Sequence, residues 1–220
     1  MFYKERIRHI GCGDRVLEIG PGSSPHPRAD VLLERRFLRE DAQQQRGGMP
    51  ELATTKQLVF YDGGRFPFAD HEFDYVICSH VIEHVEDVEA FLQEVFRVGR
   101  RGYIEFPTVY YEYLYNFSVH RQLVHYEGDE LRYLPKSDSG LALFQPLQAM
   151  FYRSLELGYS DLVEDLKYLM FQGFEWERPF RVRRVFTIEE LAVSPQILVR
   201  PPTMLCKIRR CLRWCQARLS

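Results

Sequence analysis

The stretch V16-L-E-I-G-P-G-S-S-P-H-P-R-A-D-V-L-L-E34 decides how the rest of this chain is read. Val16, Leu17 and Ile19 form a short apolar run, as a buried strand requires. Gly20 and Gly22 follow with Pro21 between them, and two residues without a Cβ let the backbone turn sharply and approach a ligand closely. A second apolar run, Ala29 to Leu33, closes on the acid Glu34. A glycine turn after one strand and an acid after the next is nucleoside-binding logic in doubly wound sheets, with the acid on the ribose hydroxyls.

Further along the chain, QLVFYDGGRFPFAD (57–70) places a third strand before Asp62 and Gly63. FDYVICS (73–79) is apolar on both faces and therefore central. The turn Ser79-His80-x-x-Glu83-His84 follows. Asp87 or Glu86 then caps a helix whose Val88, Phe91, Leu92, Val95 and Phe96 share a stripe. YIEFPT (103–108) is a fifth strand.

Taken together, VLEIGPG and FPFADHEFDYVICSHVIEHV resemble the motifs of class I S-adenosylmethionine-dependent methyltransferases, in the subgroup with a Ser-His-x-x-Glu-His turn. The resemblance runs from Asp14 to Thr108. It implies an α/β fold with a Rossmann-like, mainly parallel sheet flanked by helices, elaborated by helices and a hairpin in the C-terminal half. It implies S-adenosylmethionine as cofactor. The residues it points to are Glu18, Gly20, Pro21 and Gly22 for the amino acid end, Glu34 for the ribose and Asp62 with Gly63 for the adenine. Ser79 and His80 would line the same pocket. Acids suit a cationic sulfonium better than they suit a pyrophosphate, which they repel. The chain departs from the family in one place. Only about a dozen residues, interrupted by Pro25 and Pro27, connect Gly22 to Glu34, where a full helix is usual.

The turn at residues 79–84 has two readings. If it opens a helix, His80, Glu83 and His84 share a face, and two imidazoles with a carboxylate could hold zinc or another transition metal. Similar Glu-x-x-Glu-His turns hold a divalent cation in quinone-pathway and small-RNA O-methyltransferases, but here the first position is histidine. The expectation is a metal-free pocket wall, with activity surviving chelation. A hydroxyl acceptor would use a base, and a neutral imidazole suits that role. His120, which follows the aromatic run Tyr110 to Phe117, and His84 are the catalytic candidates.

Composition narrows the class. The chain has 220 residues with a formal charge of −2, which gives no general attraction for nucleic acid. Its five cysteines lack metal-site spacing, and reduced thiols fit a cytoplasmic protein. RQLVHYEGDELRYLPK (121–136) reads as a hairpin turning at Gly128. FQPLQAMFYRSLEL (144–157) and DLVEDLKYLM (161–170) read as helices. GFEWERPF (173–180) and RVRRVF (181–186) are expected to pair as closing strands.

The boundaries are a methyltransferase domain over 1–200 and a basic amphipathic tail over 201–220. In the tail, Leu205, Ile208, Leu212, Cys215 and Leu219 form an apolar stripe among five basic residues. Such a helix can lie on an anionic membrane surface, so peripheral contact at the inner face of the membrane is an expectation. The expected activity is O-methylation of a small molecule or a sugar or glycan in polysaccharide biosynthesis. A catalytically silent cofactor-binding module, a metal-dependent O-methyltransferase and an NAD-dependent oxidoreductase are the rivals. The missing third glycine of the dinucleotide fingerprint argues against the last.

Overall fold

The computed structural model describes residues 1–36, 52 and 54–192. The tail over 201–220, Cys206, Cys211 and Cys215, and most of the polar stretch between Arg36 and Thr54 lie outside the described residues. Among the described residues, no helix is long and apolar enough to cross a membrane.

The main sheet holds β1 (Val16–Ile19), β2 (Val31–Arg35), β3 (Gln57–Tyr61), β4 (Tyr75–Ser79), β5 (Gly102–Pro107) and β8 (Phe171–Trp176). Their order is β3-β2-β1-β4-β5-β8. The first five run parallel, and β8 is antiparallel to β5. The parallel strands at the centre are apolar on both faces because layers cover both. Val16, Leu32, Val76, Ile77 and Ile104 are fully buried. The strand order reverses between β1 and β4, the point at whose carboxyl ends open α/β sheets bind their ligands.

No helix joins β1 to β2, as the two prolines require. Helix α1 (Val88–Val98) begins where Asp87 accepts the Ala90 N–H at 2.9 Å, a side-chain N-cap. It buries Val88, Phe91, Leu92, Val95 and Val98 against the sheet, with Phe96 at the margin. Helix α2 (Val109–Tyr115) follows β5 and stops at Asn116 in the left-handed conformation. The expected hairpin is β6 (Gln122–Glu127) and β7 (Glu130–Pro135), turning on Gly128 and Asp129. Both turn residues have positive φ, the two-residue turn whose twist matches antiparallel strands. Helices α3 (Gln145–Glu156), α4 (Asp161–Asp165) and α5 (Lys167–Met170) complete the C-terminal part.

Two expectations are corrected. The closing strands do not pair with each other. Phe171 packs into the core on one face of the sheet and Trp176 into the core on the other, and β8 covers the edge of β5. Strand β9 (Arg181–Arg184) instead joins the hairpin, parallel to β7. There Arg181 and Arg183 each meet Glu130 at 3.2 Å, and the bonds from Arg132 and Arg183 hold that carboxyl at about 2. Residues 1–13, which by their charge read as a lead-in with at most one helical turn, are instead tied to the sheet. Tyr3 is buried, Arg6 donates to the Gly173 carbonyl at 2.7 Å, and the backbone N–H groups of Arg8 and His9 donate to Glu175.

Candidate functional site

Three acids end three neighbouring strands. Glu18 lies within β1, Glu34 near the end of β2 and Asp62 just past β3. Glu18 stands level with Leu32 and Glu34 level with Phe60, so the acids form a staggered row on one face, each two residues beyond the last toward the carboxyl ends.

Glu18 is buried, and the prolyl connection folds back so that the His26 N–H donates to it at 2.6 Å. Burial pushes its carboxyl up to about 7, with the His26 bond and the Lys56 charge pulling the other way. Glu34 is half-buried opposite Phe60. Asp62 is 79% exposed, with Arg36 at 3.7 Å.

The two turn glycines differ. Gly20 has φ +62° and donates to the Leu33 carbonyl at 2.9 Å. A Cβ there would stand 2.6 Å from a methyl of Val81, so the close approach it permits is to the β4 turn, not to a ligand. Gly22 has φ +59°, is exposed, and nothing lies within 4 Å of where its Cβ would be. The open approach expected of both glycines belongs to Gly22. Pro21 between them is buried, and Gly63 beside Asp62 has φ +103°.

After β4 the chain does not enter a helix directly. His80 takes φ +58°, and a separate 3₁₀ turn, Ile82–His84, precedes α1. His80, Glu83 and His84 therefore do not form one helical face. His80 sits between two acids, with Nδ1 3.2 Å from Glu83 and Nε2 3.0 Å from Glu105. Burial alone would lower its pKa, but the bonds to Glu105 and Glu83 raise it to about 9. Both ring nitrogens are thus spoken for, and Ser79 Oγ also donates to Glu105 at 3.1 Å.

Glu105 is the residue that sequence reasoning missed. It is fully buried and also accepts from Phe2 N, Tyr3 N and the Tyr103 hydroxyl, at 2.7, 2.9 and 2.6 Å. Burial would raise its pKa, but the His80 bond and charge hold it at about 2. An acid in the middle of the apolar run YIEFP was the available signal.

The catalytic candidates His84 and His120 meet, with ring centroids 4.7 Å apart and planes at 84°. His84 Nδ1 is 3.1 Å from the Val119 carbonyl, and His120 Nδ1 is 2.5 Å from Glu112. Glu112 is buried and also holds Lys136 at 3.1 Å. The Arg121 N–H donates to the Glu83 carbonyl at 2.7 Å, which pins this segment to the β4 turn. Glu83, fully buried, joins the two imidazoles, and one ligand-type atom from each of the three lies within 4.8 Å of the others.

A cavity of about 620 Å³ lies elsewhere, lined by residues including Arg8, Arg100, Arg101 and Glu177 near the amino end of β5. It is remote from the acid row, at the other end of the sheet.

Residues 35–104 match the model of a family described as a methyltransferase domain. Over 118 residues the chain is 45% identical to the bifunctional methionine biosynthesis protein MetXA/MetW of Rhodopirellula baltica, covering 51% of this chain and 18% of that one. Over 101 residues it is 30% identical to a demethylmenaquinone methyltransferase of a Roseiflexus species, covering 41% and 40%. The chain therefore spans well under half the length of these curated relatives. Among solved structures, the YcgJ protein of Bacillus subtilis aligns with TM-score 0.34 at 19% identity over 49% of this chain and 55% of that one. A SAM-dependent methyltransferase of Thermotoga maritima aligns with TM-score 0.33 at 20% identity, over 48% and 49%.

Proposed function

We propose that the protein, a member of the class I S-adenosylmethionine-dependent methyltransferases, passes the methyl group of that cofactor to an oxygen of a small-molecule or glycan acceptor. The observation that carries the reading is the buried Glu18 carboxylate behind the open turn at Gly22. Burial without a strong cationic partner keeps this acid only partly ionised near neutral pH, and a cationic ligand would favour its charged form. Glu34 and Asp62 on the next two strand ends suit a ribose diol and an adenine amino group. When bound, the cofactor supplies an electrophilic methyl on a sulfonium. An acceptor oxygen would take that methyl as its bond to sulfur breaks, and the acceptor's proton would leave to solvent at the Glu83, His84 and His120 cluster. Positioning supplies much of the acceleration in such an in-line displacement. The glycan class rests on the short Gly22–Glu34 connection, which resembles those of methyltransferases in polysaccharide pathways. The printed activities of the two curated relatives differ and do not choose an acceptor.

The test is calorimetry with S-adenosylmethionine, its demethylated product and NAD, followed by a methyl-transfer screen over hydroxyl compounds, sugar nucleotides and lipid-linked glycans. Binding of the first two but not NAD, with turnover on an oxygen acceptor, is expected. Preference for NAD overturns the family role, and transfer to nitrogen alone overturns the acceptor atom.

Two effects follow at the acid row. If the ionised form of Glu18 receives the cation, cofactor affinity should strengthen about eightfold from pH 6 to 7.5, since the ionised share of a group near 7 rises from about a tenth to about three quarters. The same raised value has the opposite effect on the free protein: the stability that Glu18 contributes is fully present below about 4.5 and is lost as pH rises through about 7. Glu18→Gln should bind more weakly with a flat profile. A flat profile in the unaltered chain would remove Glu18 from the site. Asp62→Ala should cost at most about 1 kcal/mol of cofactor binding, because solvent screens a group this exposed. Calorimetry of the variant checks this, and a loss of several kcal/mol would mean that the ligand buries Asp62.

A further inference from the structure

The geometry points to a divalent transition-metal site formed by Glu83, His84 and His120. Glu83 is fully buried and gives one oxygen, Oε1, to His80, while its Oε2 has no hydrogen-bond partner among the described residues. A buried carboxylate oxygen left unmet is costly. His84 and His120 each use Nδ1 on a protein acceptor, the Val119 carbonyl and the Glu112 carboxylate. That leaves Nε2 on both rings. It is the arrangement seen in metal-ligating histidines, whose second nitrogen donates to a carbonyl or carboxylate that fixes the tautomer. Glu112 is itself steadied by Lys136.

One nitrogen of each imidazole and one Glu83 oxygen already lie within 4.8 Å of one another. Tetrahedral ligands at about 2.1 Å from an ion sit about 3.4 Å apart, so closure needs inward movements of about 1 Å. Two imidazoles and one carboxylate favour ions of the manganese-to-zinc series over magnesium or calcium. Three protein ligands leave a position open. His80 is outside the set, because Glu83 and Glu105 occupy both of its nitrogens. The ligands are therefore not the trio that the spacing of the turn suggests, and His120 reaches them from beyond β5. The chelation-resistant activity expected from the motif is replaced by a metal-sensitive one.

An ion there with an open position would bind an acceptor hydroxyl, lower its pKa and let its proton pass to solvent. That role rests on the methyl-transfer reading, whereas ion binding does not.

The test uses the full chain, stripped with a chelator, with no cofactor or acceptor present. Cobalt(II) is titrated and followed in the visible spectrum, and zinc is titrated by calorimetry with excess magnesium as competitor. One ion per chain is expected, with His120→Ala and Glu83→Gln weakening it at least about tenfold and Glu112→Gln by about 10–100-fold. Should these variants fail to fold, ¹⁵N-histidine spectra of the unaltered chain with zinc carry the decision: the Nε2 signals of His84 and His120 shift and those of His80 do not. Absence of binding, thiolate charge-transfer bands that mark cysteine-bound cobalt, or zinc shifts confined to other histidines overturns the site. Metal bound as described without any methyl transfer upholds the site and counts against the activity instead.

Discussion

Replacing Glu105 with alanine should destabilise the protein by about 3–5 kcal/mol, the range for removing one partner of a buried ion pair. Glu105 is fully buried on the central strand β5 and gathers five donors. They are the N–H groups of Phe2 and Tyr3, the hydroxyls of Ser79 and Tyr103, and the His80 imidazole. Alanine would leave His80 charged with only Glu83 as partner, and would leave two backbone N–H groups without an acceptor. It would also release the first residues from the sheet, where Phe2 stacks on Phe171 with centroids 3.8 Å apart. Glu105→Gln keeps an acceptor of the same shape and should cost less, about 1–3 kcal/mol. Denaturant unfolding of both variants measures this. A loss below 1 kcal/mol in the alanine variant would show that these bonds do not hold the segment.

Gly20→Val should cost about 3 kcal/mol or more in folding stability, before any question of ligand binding arises. A β-branched residue at φ +62° carries a conformational penalty of about 1–2 kcal/mol. Its Cβ would also stand 2.6 Å from the Val81 methyl group, and overpacking of this kind typically adds about 1–3 kcal/mol. Gly22→Ala separates structure from binding. Its φ of +59° still costs about 1 kcal/mol, but its methyl enters open space where the cofactor is proposed to approach. Thermal unfolding should therefore single out Gly20→Val, and calorimetry should show cofactor affinity falling in Gly22→Ala while the fold persists. A stable Gly20→Val variant that has lost only cofactor binding would mean that a ligand, not Val81, needs that space.

Much of the architecture was legible from local chemistry alone. The runs around Val16, Val31 and Val76 are strands because short apolar runs are buried on both faces of a covered parallel sheet, whereas the run around Leu58 forms its more exposed edge. Asp87 is a helix cap, and Gly128-Asp129 a hairpin turn, for reasons contained in a few neighbouring residues. The acids Glu18, Glu34 and Asp62 could be placed at strand ends in the same way. Partner choice was another matter. Alternation tells which way a side chain faces, not which strand lies alongside, so β8 and β9 were expected together although they belong to different sheets. Glu105 stood out only as an acid in an apolar strand. Its role depends on Phe2 and Tyr3, about a hundred residues away in the chain. The spacing of His80, Glu83 and His84 suggested one group, yet the positive φ at His80 breaks the helix that would have aligned them. Folding then gives His80 to Glu105 and brings His120 to Glu83 and His84. Local spacing governs contacts within a turn or a helix, but a buried charge takes whichever partner the packed layers bring within hydrogen-bond reach, and only the tertiary structure decides that.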